Sequence, residues 1–242
     1  MRNYRVETIE RVEFIREQVD KAGADGIVFG SSGGKDSVLV GILCKKACKN
    51  TVGIIMPCSA SIDYSNDIRD ALSISERFDI ESRTIDLTKT TEAIAEAIKE
   101  TVDIQNTAEI NISPRLRMTA LYAVAASENR IVAGTGNRSE RYMGYFTKWG
   151  DGAFDFNPIG DLTVSEIFEF LHFFNVSEQI IKKPPSAGLY QGQTDEAEMG
   201  VTYKAIDGYL LSGECLPSDL EIIDKYHSAS AHKRKMPTVY NA

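Results

Sequence analysis

The chain opens without any uninterrupted apolar stretch of signal-peptide or membrane-spanning length: Met1-Arg2-Asn3-Tyr4-Arg5 runs straight into a charged amphipathic segment. A cytoplasmic location with no membrane partner is therefore expected. Positive charge is also in deficit. With 27 Lys and Arg against 35 Asp and Glu, the formal net charge is −8, so no overall positive field draws the chain to phosphate backbones and nucleic acid is disfavoured as a partner. Cysteine is sparse: Cys44, Cys48, Cys58 and Cys215 form no Cys-x-x-Cys pair and have no histidine at zinc-ligand spacing, which reads as buried free thiols rather than a metal or disulfide framework. No internal repeat or low-complexity tract is found. What is present is ordinary globular composition, 43% hydrophobic and 26% charged over 242 residues, enough for one large α/β domain with a substantial core.

Val6, Ile9, Val12, Ile15 and Val19 recur every three or four positions, the spacing of a buried helix face. Strand-like runs then alternate with helical ones: Asp25–Gly30, Val52–Met56, Ser82–Leu87 and Arg130–Gly134 read as strands, with helices over Val38–Lys46, Ser65–Phe78 and Thr91–Thr101 between them. This alternation predicts a three-layer α/β fold, a mostly parallel sheet with helices on both faces. Ser113-Pro114 reads as an N-cap followed by a first-turn proline, opening a helix through Leu116, Ala120, Val124 and Ala125. From Thr135 to Pro158 the period dissolves into glycine, polar and aromatic residues, the mark of a long functional loop region. Helices resume after Asp161-Leu162-Thr163 and at Pro217–Tyr226, while Lys182–Gly192, with its prolines and glycines, reads as irregular.

A strand ending at Gly30, then Ser31-Ser32-Gly33-Gly34-Lys35-Asp36-Ser37, then a helix, places a glycine turn at a helix N-terminus. Free first-turn N–H groups point outward there, glycines let an oxyanion approach the main chain, and serine hydroxyls add donors, so the turn suits pyrophosphate. The Walker pattern fails, because Asp36 follows the lysine and Phe29 stands where the first glycine belongs. Gly134-Thr135-Gly136 lacks the third glycine of a dinucleotide fingerprint, at Ser139. A carboxylate within a phosphate loop is repulsive without an intervening cation, which makes Asp36 a candidate magnesium ligand. The other reading of Asp36 is a first-turn carboxylate stabilised by the helix dipole.

Ser32-Gly-Gly-Lys-Asp-Ser37 resembles the pyrophosphate loop of the adenine-nucleotide α-hydrolase-like enzymes. The run Gly134-Thr-Gly-Asn-Arg-Ser-Glu-Arg-Tyr-Met-Gly-Tyr-Phe-Thr-Lys-Trp-Gly-Asp-Gly152 is more specific. With Pro158-Ile-Gly-Asp-Leu162, Pro185-Ser-Ala-Gly-Leu189 and Gln193-Thr-Asp-Glu196 it is similar to the NAD synthetase family over nearly the whole chain. The resemblance implies a five-stranded sheet of the adenine-nucleotide α-hydrolase-like kind and a single ligase domain over residues 1–242, with no room for the glutaminase domain of glutamine-dependent members, and hence free ammonia as nitrogen donor. It implies ATP on Gly30, Ser31, Ser32, Gly33, Gly34, Lys35, Asp36, Ser37, Thr135 and Ser186, and Mg2+ on Asp36 and Glu140, which are then the catalytic pair. It implies deamido-NAD on Arg115, Lys148, Asp155, His232 and Lys233, and a homodimer with some of these side chains acting across its interface. Read without that context, each of these charges is a solvated surface group and His232–Lys235 a solvated basic end. One position departs: many members carry Tyr-Lys after Gly-Asp-Leu, the lysine reaching ATP, where this chain has Thr163-Val164, leaving Lys35, Lys182 or Lys183 to supply a triphosphate cation.

The chemistry implied is adenylation of the nicotinate carboxylate of deamido-NAD with release of pyrophosphate, then displacement of AMP by ammonia. Two other classes stay open on the residues alone: a superfamily relative acting on another acid or on tRNA, and a non-catalytic adenine-nucleotide sensor.

Overall fold

The structure, a computed structural model, describes residues 2–183 and 194–240. Asn3 opens α1 (Tyr4–Ala22) by accepting from the N–H groups of Arg5 and Val6, and Gly23 closes it in a left-handed turn at φ 60°. The expected apolar face is buried from Val12 through Ile15 to Val19, whereas Val6 and Ile9 stay exposed. The first turns are held by other side chains: Tyr4 lies against Phe170, and Arg2 and Arg11 bond to Glu166 and Asp161, which turns a different side of the helix inward.

The chain continues through β1 (Gly26–Gly30), α2 (Lys35–Ala47), β2 (Thr51–Ile55), α3 (Ser65–Arg77), β3 (Glu81–Thr84), α4 (Thr88–Lys99), α5 (Asn106–Ile110), α6 (Ile112–Ser127) and β4 (Arg130–Ala133). It then forms α7 (Arg138–Met143), α8 (Val164–Phe173), α9 (Glu178–Ile181), α10 (Asp195–Met199), α11 (Tyr203–Ser212), α12 (Pro217–Ala229) and a 3-10 turn at Ala231–Arg234. Among the described residues no helix is long and apolar enough to cross a membrane.

The strands are parallel in the order β3-β2-β1-β4, with Ile27 opposite both Thr51 and Ile131. Side chains alternate across the sheet. Ile27, Phe29 and Ile131 join α1, α2 and α8 in one core, while Val28, Val52 and Val132 meet α6 on the opposite face. The sheet has four strands among the described residues, the four that the sequence pattern marks and one fewer than the resemblance implies. A fifth is reduced to a single bridge between Ala133 and Phe156. The Asp155 carboxylate takes the N–H of Val132, and Pro158, which has no N–H to offer, follows two residues after the bridge.

Two boundaries also differ. The short α5 runs directly into α6 at Asn111, so the helix begins at Ile112 and Ser113 lies inside its first turn rather than capping it. Pro114 still falls within that turn, where a missing N–H breaks no helical bond. Within the region read as loop, Asn137 and Glu140 form a reciprocal capping box that starts α7.

From β1 the chain winds through β2 to β3 on one side, and β4 returns to pair on the other side of β1. The order thus reverses between β1 and β4. In open α/β sheets the crevice at the carboxyl ends of such strands is where ligands bind.

Candidate active site

Both loops that leave this switch point reach the same cavity, of about 900 Å³. After β1, residues 31–34 turn sharply. Gly33 sits at φ 73°, and a Cβ there would lie 2.4 Å from the Asp67 carbonyl oxygen, so only glycine fits. Gly34 then caps α2 without a side chain, leaving the first-turn N–H groups without a capping partner. Ser32 Oγ accepts from Gly34 N at 3.3 Å and lies 3.1 Å from Ser37 Oγ, which stiffens the turn with its hydroxyls beside the cavity.

After β4 the chain brings Asn137 and Glu140 over the start of α2. Asn137 is fully buried. Its Oδ1 accepts from Glu140 N at 2.9 Å, its own N–H donates to Glu140 Oε2 at 3.1 Å, and its Nδ2 donates to Asp36 Oδ1 at 3.1 Å. Lys35, only 7% exposed, places Nζ 2.8 Å from Asp36 Oδ2 and 3.8 Å from Glu140 Oε1. Burial alone would discharge this ammonium, but Asp36, Glu140 and Asp195 hold its pKa above the ordinary value. The Glu140 carboxyl is pushed up, first by burial and then by Asp36. Asp195, buried at the start of α10, accepts from the Tyr203 hydroxyl at 2.9 Å. Burial followed by the carboxylates Glu140 and Asp195 keeps that phenol protonated.

The opposite wall is the loop after α7, strapped to the C-terminal 3-10 turn. Lys233 Nζ donates to the carbonyls of Gly144 and Phe146, both at 2.8 Å, and Lys148 Nζ donates to the His232 carbonyl at 2.9 Å. Gly144, at φ 69°, packs directly on Ser230. Asp151 lines the cavity with its side chain exposed there and accepts from Thr147 N at 2.9 Å.

Of the residues singled out in the sequence, Gly30, Ser31, Ser32, Gly34, Lys35, Asp36, Ser37, Thr135, Glu140 and Lys233 line this cavity, with Gly33 shaping the turn behind it. Arg115 stands exposed on α6 and bonds the Asn111 carbonyl, outside the cavity wall. The Asp155 carboxylate is taken by Val132 N at 2.7 Å and the Tyr122 hydroxyl at 3.1 Å, also away from the wall. Lys148 and His232 flank the cavity without lining it. Ser186 lies outside the described residues. Val164 is 2% exposed in the core around Met143 and Tyr203 and offers no charge. Of the lysines that could substitute, Lys182 is exposed and paired with Glu178, whereas Lys183 lines the cavity with its ammonium on Asp67 and Asp70.

Four residues of the site escaped the sequence pattern: Asn137, Asp151, Asp195 and Tyr203. For Asn137 a signal existed in the Asn-x-x-Glu spacing of a capping box. Asp151 and Asp195 lie within the Gly134–Gly152 and Gln193–Glu196 runs without being singled out, and Tyr203 carries no signal of its own.

The pattern of the NAD synthase family matches residues 7–240. The chain is 43% identical over 240 residues to the NH3-dependent NAD+ synthetase of Carboxydothermus hydrogenoformans, covering 98% of each protein. It is 40% identical over 238 residues to the one of Archaeoglobus fulgidus, covering 96% of this chain and 95% of the relative. Among solved structures it superposes on NMN synthetase from Francisella tularensis with a TM-score of 0.94 at 39% identity, over 100% of both chains. On the NH3-dependent NAD synthetase from Campylobacter jejuni the TM-score is 0.81 at 32% identity, again over 100% of both.

Proposed function

We propose, on the premise that the chain belongs to the NAD synthase family, that it is a carbon–nitrogen ligase that activates the nicotinate carboxylate of deamido-NAD with ATP and amidates it with free ammonia, giving NAD, AMP and pyrophosphate. The observation that carries this reading is the meeting, at one topological switch point, of a glycine turn at a helix N-terminus with the half-buried pair Asp36 and Glu140. A non-catalytic sensor would need only the first of these.

In the first step a carboxylate oxygen of the nicotinate attacks the α-phosphorus of ATP and the bond to the β-phosphate breaks. The first-turn N–H groups of α2 and the hydroxyls of Ser32 and Ser37 are placed to bind the departing pyrophosphate. In the second step ammonia nitrogen attacks the acyl carbon and the bond to AMP breaks. Ammonia is largely ammonium in water, so a group in the site must take a proton. Asp151, a carboxylate on the cavity wall, is the candidate for that task.

The carboxyl groups of Asp36, Glu140 and Asp195 surround the ammonium of Lys35, and burial together with their crowded negative charge raises the Glu140 carboxyl. A divalent cation balances that charge, and Mg2+ characteristically takes one or two carboxylates together with phosphate oxygens, so the residues fit it. Asp36 and Glu140 would hold the ion, which when bound neutralises charge on the phosphates. We assign ATP to residues 30–37, Thr135 and Ser186. Arg115, Lys148, Asp155, His232 and Lys233 are assigned to deamido-NAD, some of them across the interface of a cytoplasmic homodimer. The ligase is a single domain over residues 1–242. Free ammonia as donor is supported by the names of relatives matched end to end.

A second reading has its own support in the tighter superposition on NMN synthetase: the acid would be nicotinate mononucleotide. One experiment serves both. Amide formation from ATP and ammonium is measured with deamido-NAD and with nicotinate mononucleotide, and glutamine is offered in place of ammonium as a control. The proposal expects kcat/KM to favour deamido-NAD, with glutamine inactive. A preference for the mononucleotide would transfer the assignment to the second reading, and turnover of neither would refute the ligase.

A further inference from the structure

One buried asparagine reaches both carboxylates of the candidate metal pair, that of Asp36 through its side-chain amide and that of Glu140 through its main-chain N–H, although they stand on different elements. Asp36 belongs to the first turn of α2 and Glu140 to the first turn of α7. We propose that Asn137 is a positioning residue for the metal: it holds Asp36 and Glu140 at the separation at which one divalent cation can be shared between them. This inference rests on the metal assignment made above.

The hydrogen-bond bookkeeping leaves the Asn137 side chain only one orientation. Oδ1 accepts from Glu140 N, so the amide nitrogen must face Asp36, where it donates to Oδ1 at 3.1 Å. The main-chain N–H of the same residue takes Glu140 Oε2, and Lys35 lies nearest Glu140 Oε1 and Asp36 Oδ2. Each carboxylate thus has one oxygen fixed by Asn137 and the other turned toward the same cation, at present the ammonium of Lys35. Lys35 also reaches both carboxylates, at 2.8 and 3.8 Å, but as the charge between them, whereas Asn137 holds their outer oxygens. With the asparagine fully buried, water cannot take over its role cheaply.

An N-cap alone would ask less of this position. Serine and threonine cap helices about as well as asparagine but are too short to carry a donor on to Asp36. Asn137→Ser therefore keeps the start of α7 and removes only the link. The measurement is Mn2+ binding, read from the loss of its free electron paramagnetic resonance signal, to the full chain with α,β-methylene-ATP present so that no turnover occurs. Melting of the ligand-free protein is followed in parallel. Expected is a weakening of Mn2+ binding by about tenfold or more, the usual effect of losing a partner behind a metal ligand, with melting little changed. A capping role alone would leave the affinity where it was, and that result would overturn the proposal. Asp36→Asn is the control. If it too leaves Mn2+ binding unchanged, the metal assignment itself fails; if it abolishes binding while Asn137→Ser does not, only the positioning role falls. Asn137→Thr repeats the test should the serine variant not fold, and failure of both to fold would also overturn the proposal, since the amide would then be holding the fold rather than the carboxylates.

Discussion

At the scale of single residues the site is built from side chains whose ordinary chemistry is bent by enclosure. Asp36 and Glu140 face each other across Lys35, whose ammonium lies 2.8 Å from one and 3.8 Å from the other. Asp36→Asn or Glu140→Gln should lower amide formation by about two orders of magnitude or more, the scale of losing one fixed electrostatic group in a transition state. Melting should stay near that of the parent, and near-normal turnover in both variants would remove the metal assignment. Gly33 is constrained by geometry instead. Its φ of 73° and the Asp67 carbonyl 2.4 Å from any Cβ make Gly33→Ala a change of backbone as well as volume. It should cost about 2 kcal/mol or more in urea unfolding and raise the KM for ATP, because the turn that presents the α2 N–H groups must shift.

At the scale of elements, the first turns of α1 are bound to the segment before α8 by ions rather than by apolar burial. Arg11 donates to both oxygens of Asp161 at 2.6 and 2.8 Å and to Glu7, and Arg2 reaches Glu166 and Asp161. Burial works to raise the Asp161 carboxyl, yet the Arg11 bonds and the charge of Arg2 win and hold it below its ordinary value of 3.8. A depressed carboxyl contributes stability that is fully present above the ordinary value and is lost as pH falls through the folded one. Half of the Asp161 side chain is open to water, so solvent screening keeps the effect modest. Urea midpoints of Asp161→Asn and the parent should therefore differ at neutral pH and converge as pH falls below about 3.8. A constant gap across that range would show that the pairing is not ionic in origin.

At the scale of the whole molecule, the C-terminal segment closes the wall opposite the phosphate turn. Ser230 is buried against Gly144, Lys233 holds the carbonyls of Gly144 and Phe146, and Arg234 bonds the carbonyls of Tyr142 and His227. None of these contacts touches residues 30–37. Truncation after Ser230 should thus raise the KM for the nicotinate nucleotide by about tenfold or more while changing that for ATP by less than about threefold, the difference between losing an ordered wall and leaving the other intact. Equal effects on both substrates would place the segment in the ATP site. The homodimer is tested by sedimentation of the full chain.

Period and local chemistry were enough to determine most of this fold. The four strands, the helices between them and the glycine turn at Ser31–Gly34 are set by interactions within a few residues, and they sit where the pattern places them to within a few positions. The capping box of α7 was equally local. What only tertiary structure decided depends on distance across the chain: which side of α1 turns inward, the reduction of a fifth strand to one bridge, and the burial of Val164. The same holds for the site. Asp36 and Asn137 are separated by 101 positions and become hydrogen-bonded only because β1 and β4 lie side by side. Asp195 and Tyr203 join that cluster from helices whose own periodicity says nothing of charge. A sequence can announce a carboxylate in a phosphate turn, but the low-dielectric neighbours that fix its charge and its partner exist only once the strands have paired.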